Sequence, residues 1–137
     1  MELPHQTHVA VVDGENFKLF RNAGNSAEPR LEDGRSIKVE GENKSAGVAK
    51  QDDVGQNLGR TDLDELAHAA AATEWLNTEV LENRIDKLFI VADPKSLGEM
   101  RRHYHTKLED VLVGELDKAV AGEPAERIAR SIAGATR

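Results

Sequence analysis

The sequence predicts an α/β fold of three layers, in which a mixed five-stranded sheet of order 3-2-1-4-5, with strand 2 antiparallel, carries helices on both faces. Three observations predict it. Two unbroken apolar runs, Val9 to Val12 and Leu88 to Ala92, are what strands covered on both faces require. The second half of the chain alternates such runs with segments of helical periodicity, which implies parallel strands joined by right-handed crossovers. The first quarter instead alternates as a meander of short strands, so the sheet is mixed.

In chain order, His8 to Val12 forms the first strand, and Asp13-Gly14 supplies a turn pair. Phe17 and Leu19 alternate with Lys18 and Phe20, so a second strand over 16–22 returns antiparallel and ends at Asn22 to Gly24. After Asp33-Gly34, the string SIKVE over 36–40 alternates around Ile37 and Val39, as a short third strand at a sheet edge does. Residues 41–60 hold four glycines and no aromatic residue, and a mobile loop is expected there.

Thr61 or Asp62 then caps a long helix, with Glu65 in the acidic position of a capping box. Leu66, Ala69, Thr73, Leu76 and Val80 form its buried stripe. Trp75 falls beside the stripe and reads as a partly buried structural residue. The fourth strand, over 87–92, is central. Pro94 suits the first turn of a helix, and Leu97, Met100, Tyr104 and Leu108 continue a helical spacing. A fifth strand is expected over 110–116, and Gly122 and Pro124 frame a last helix carrying Ile128, Ala129 and Ile132.

Composition bounds the function. A chain of 137 residues, 39% hydrophobic and 31% charged, suits one domain with its own core. No stretch approaches the roughly 20 apolar residues of a membrane span, and MELPHQTH lacks the basic start and apolar segment of a secretory signal. A cytoplasmic location is expected, without a membrane partner. With no cysteine, thiolate metal sites and cysteine nucleophiles are excluded. A net charge of -7 opposes non-specific binding to DNA, so contact with a nucleic acid needs a local basic face. No P-loop, dinucleotide fingerprint or serine elbow is present, and no cofactor is expected.

Two sets of side chains carry candidate chemistry. If the first and fourth strands are parallel neighbours, Asp13 and Asp93 share the C-terminal end of the sheet, where ligands collect in open α/β folds. With a third carboxylate, Asp64 or Glu65, they would suit Mg²⁺-assisted phosphodiester cleavage. The plainer reading gives Asp13 to an Asp-Gly turn, Asp93 to a helix cap and Glu65 to the capping box, so no third ligand is expected to converge and no metal site is assigned. Arg101, Arg102, His103, His105 and Lys107 form the densest basic run, a candidate binding face of Arg101, Arg102, His105 and Lys107. If one helix runs through them, Arg101 and His105 share a face. The plainer reading is a solvated helix end in an acidic protein.

Several strings in order also carry a resemblance: Asp13-Gly14 through Phe17-Lys18-Leu19-Phe20, the strand LFIVA followed by Pro94, Leu97-Gly98-Glu99-Met100-Arg101, and VGELDK over 113–118. Together they resemble the bacterial family of proteins required for attachment to host cells. That family is similar to the middle, peptide-releasing domain of archaeal and eukaryotic class-one release factors, whose sheet is ribonuclease H-like. The resemblance implies a distant link to translation. Release factors act through a Gly-Gly-Gln loop before a long helix, and here the corresponding loop reads Val54-Gly55-Gln56, without the first glycine. A backbone that must place a glutamine main chain and a water beside a tRNA ester is restricted by valine far more than by glycine.

The sequence thus favours a non-catalytic binding module whose partner is a protein or a structured RNA such as the ribosome. The alternative is a hydrolase, either a peptidyl-tRNA hydrolase using Gly55 and Gln56 or a Mg²⁺-dependent nuclease using Asp13 and Asp93.

Overall fold

Apolar residues two apart along each central strand divide cleanly between two cores, and that division organises the molecule. The computed structural model describes residues 3–39 and 57–135. Its sheet comprises β1 (His8–Val12), β2 (Phe17–Asn22), β3 (Leu31–Ser36), β4 (Leu88–Ala92) and β5 (Leu112–Asp117). The order is β3-β2-β1-β4-β5, with β1–β2 and β2–β3 antiparallel and β1–β4 and β4–β5 parallel, as expected from the sequence.

Ala10, Val12, Phe17, Leu19, Leu88, Ile90 and Ala92 point to one face. They meet Ala69, Ala72, Leu76 and Val80 of α1 (Asn57–Leu81), Leu97 and Met100 of α2 (Pro94–Arg101), and Leu108 of α3 (Thr106–Val111). Val9, Val11, Phe20, Phe89 and Val91 point to the other face, against Ile128, Ala129 and Ile132 of α4 (Ala125–Ala135). All five residues of β4 are fully buried, as befits an interior strand flanked by β1 and β5. Trp75 is half-buried and meets the edge of Phe17 with ring centroids 5.4 Å apart, a contact of about 0.5–1.5 kcal/mol beyond its buried area.

Three elements depart from the sequence reading. The third strand lies at 31–36 rather than 36–40, because Asp33-Gly34 is used inside the strand instead of before it. Asp33 takes a positive φ of 60°, and the β2–β3 register shifts between Leu19 and Arg21, so β3 carries a bulge there. A side chain at Gly34 would sit 2.3 Å from the Phe20 ring, so the close approach itself demands glycine. The actual reversal comes earlier, where the Asn22 side chain accepts from the N–H groups of Gly24 and Arg30, both at 2.9 Å. Ile37 still pairs with β2, its N–H donating to the Phe17 carbonyl.

The long helix begins at Asn57, so Asp62 and Glu65 lie within it and form no capping box. The expected mobile loop therefore loses its last four residues to α1, and its remainder, 41–56, lies outside the described residues. Finally, the single helix expected from Pro94 to Leu108 is two. α2 ends at Arg101, and α3 starts after His105, whose ring nitrogen Nδ1 accepts from the Lys107 N–H at 3.0 Å. Asn77 of α1 enforces the break, donating to the His103 carbonyl at 2.9 Å and accepting from the His105 N–H at 3.0 Å. A spacing that suits one helix was thus overridden by a buried amide in another element.

Candidate functional site

Parallel register sets the site at the C-terminal end of β1 and β4. Val12 pairs with Ala92, so the next residues, Asp13 and Asp93, emerge side by side. They line a hollow of about 320 Å³ together with Gly14, Glu15, Glu65 and Ala119. Glu65, in the third turn of α1, also lines the hollow. Its methylenes lie so close to Gly14 that a side chain there would come within 2.5 Å of Glu65 Cγ.

Asp13, Asp93 and Glu65 each have a local employment. Asp13 Oδ1 accepts from the backbone N–H groups of Glu15 and Asn16, and Oδ2 accepts from the Asn16 amide at 3.2 Å. Asp93 Oδ2 accepts from the Ser96 N–H at 3.1 Å and so caps α2. Glu65 is drawn sideways to Lys95 Nζ at 3.0 Å, which Asp62 also engages. The hydrogen bonds that Lys95 donates to the Asp62 and Glu65 carboxylates raise its pKa, keeping a cation at the rim of the hollow. Asp93 Oδ1 stays buried without a donor. Among the described residues no group of three or more acidic or histidine side chains is arranged to hold a metal ion. On the neighbouring rim, the His68 ring donates through Nδ1 to the Asp13 carbonyl at 2.9 Å and fixes the turn against α1.

The basic run does not form one face, because the helix break divides it. Arg101 donates twice to Glu115 Oε1 of β5, at 3.0 and 2.6 Å. Arg102 lies 3.5 Å from Glu99, and the His103 ring 2.9 Å from the other oxygen of the same carboxylate. His105 is spent on capping α3, and Lys107 supplies the N–H it accepts. The expected helical pairing of Arg101 with His105 is therefore absent, since the two belong to different segments.

What takes its place is a network that sequence reasoning missed, around Glu115. Tyr104 donates its hydroxyl to Glu115 Oε2 at 2.6 Å while Arg101 holds the other oxygen. Burial alone would push the Glu115 pKa up, but the hydrogen bonds from Arg101 and Tyr104 and the Arg101 charge outweigh it and hold the carboxyl below its ordinary value. Burial and the Glu115 carboxylate push the Tyr104 phenol up. The one sequence signal was an acidic residue within an otherwise apolar strand. The candidates Gly55 and Gln56 lie outside the described residues.

Residues 6–132 match the family model described as bacterial archaeo-eukaryotic release factor family 12. No curated protein matches the chain.

Proposed function

The chain belongs to bacterial archaeo-eukaryotic release factor family 12, and on that premise we propose that it is a non-catalytic binding module that engages a protein or structured RNA of the translation apparatus. The observation that carries this reading is the state of the hollow at the end of β1 and β4. Asp13, Asp93 and Glu65 meet there, yet their oxygens serve a turn, a helix cap and an ion pair. Groups already holding the fold together are poorly placed to bind a metal or move a proton. A role in attachment to host cells, which the sequence resemblance implies, would then be an indirect effect of such binding. No helix among the described residues is long and apolar enough to cross a membrane.

The test is sedimentation of the purified chain with ribosomes, followed by identification of the RNA and protein it retains. Specific co-sedimentation supports the reading, and a chain that stays wholly in the supernatant overturns it.

A second reading rests on the buried Asp93 Oδ1, which lacks a donor and which a cation would satisfy. It makes the chain a Mg²⁺-dependent phosphodiesterase of Asp13 and Asp93. Titrating Mg²⁺ while following backbone amide shifts decides between them. We expect no localised change at Gly14, Asp93 or the Asp62 to Glu65 turn, and saturable shifts there would install the second reading. Peptidyl-tRNA hydrolysis by the parent protein that Gln56→Ala abolishes would instead restore the release-factor chemistry.

A further inference from the structure

Both edges of the sheet are strands, and they are defended unequally. β3 has a bulge at Asp33 and an ionic strip along it, with Arg21 on Asp33 at 2.9 Å and Arg30 on Glu32 at 3.2 Å. Bulges and paired charges of this kind discourage further strand pairing. β5 pairs only with β4, and its register irregularity is confined to its start, between Leu112 and Gly114. From Gly114 to Asp117 the strand runs regularly, with nothing among the described residues paired on its outer side.

The direction of its backbone groups follows from one bond. The Lys118 N–H donates to the Ala92 carbonyl at 2.8 Å and so faces β4. Strand alternation turns Leu116 and Gly114 the same way, and presents the N–H and C=O groups of Glu115 and Asp117 outward. A groove of about 460 Å³ runs beside this edge, lined by Arg101, Tyr104, Glu109, Leu112, Val113 and Glu115 among others.

Side chains assign what fits. Glu115 and Asp117 share the sheet face that carries Arg101 and Tyr104, where Glu109 also acts on the Tyr104 phenol and Asp117 on the Arg101 guanidinium. Arg101 neutralises Glu115, whereas Glu109 and Asp117 have no ion-pair partner among the described residues. On the opposite face, Val113 and Leu116 offer half-buried apolar surface. Cross-strand neighbours on one face interact directly, so an added strand would place alternate residues against the acids and the intervening ones against Val113 and Leu116.

We infer that the free edge of β5 is a docking site for an extended peptide segment of a partner protein in which basic and apolar residues alternate, added as a sixth strand. Backbone pairing supplies the binding, and the two faces supply the selectivity. The inference deepens the proposed binding function by naming the surface and the chemistry of the partner.

A blocked synthetic peptide of alternating lysine and valine is the probe, with two controls: the same peptide N-methylated at alternate amides, and its glutamate-valine counterpart. Titrated against the full chain, the lysine peptide should slow exchange of the Glu115 and Asp117 amides roughly tenfold or more. The N-methylated and glutamate peptides should not. Glu109→Lys combined with Asp117→Lys should weaken the lysine peptide and admit the glutamate peptide. Equal binding of the N-methylated peptide, protection at β3 instead of β5, or no protection at all would each overturn the inference. Ribosome co-sedimentation without β5 protection would overturn it while leaving the broader binding function standing.

Discussion

Single residues hold the irregular parts of this chain, and Asn22 is the clearest. It is fully buried, accepts from Gly24 and Arg30, and donates to the Leu3 carbonyl at 2.9 Å, so one amide ties the N-terminal segment to the β2–β3 reversal. Asn22→Ala strips a partner from four backbone groups at once, the Gly24 and Arg30 N–H groups and the Leu3 and Pro4 carbonyls. An unsatisfied buried group costs about 1–3 kcal/mol, so at least about 2 kcal/mol should be lost in urea-melt free energy, a large part of a small domain's stability. A variant melting within error of the parent would show that water replaces the amide without cost.

Among the elements, the α2–α3 break decides how the basic run is used. Were residues 94–108 one helix, Arg101 and His105 would sit one turn apart on one face. Asn77 prevents this by offering its amide to His103 and His105 across the packed faces of α1 and the α2–α3 connection. Asn77→Ala should therefore cost about 1–3 kcal/mol and loosen Tyr104 and Arg101 from Glu115. Denaturant melts measure the first effect. Amide exchange at Arg102 to His105 measures the second, and unchanged exchange there would mean that the break is stable without Asn77.

The whole molecule should weaken in acid by two separable steps. Burial lowers the His8 pKa below 6.5, and its Nδ1 is buried without a partner, against a surround of Asp86, Arg21, Arg35 and Glu79. Because the folded value lies below the unfolded one, the unfolded chain binds more protons in that window. The His8 contribution is then complete above pH 6.5 and is lost as pH falls through the depressed folded value. Glu79, held down chiefly by its hydrogen bond from Arg84, and Glu115 have folded values below 4.5, so their contributions fail only as pH falls beneath that. Melting temperature against pH should decline first below about 6.5 and again below about 4.5. His8→Asn should remove the first decline and leave the second, and a first decline that survives this change would assign it to another group.

The sequence by itself determined the strand order, the central position of β4, the antiparallel second strand and the meeting of Asp13 with Asp93. Those follow from local information: periodicity says which faces are covered, and the alternation of strands with helices says which pairings are parallel. Tertiary structure alone decided the rest. Whether Asp33-Gly34 makes a turn or a bulge depends on the Phe20 ring lying against Gly34, a contact between strands. The helix from Pro94 stops at Arg101 because Asn77, far away in sequence, supplies hydrogen bonds that a continuous helix would not need. Glu65 of α1 lines the hollow, and the basic run loses its common face because the α2–α3 break divides it. Helical spacing records which residues are apolar, but not which polar group elsewhere will compete for the backbone, and that competition is settled only when the layers pack.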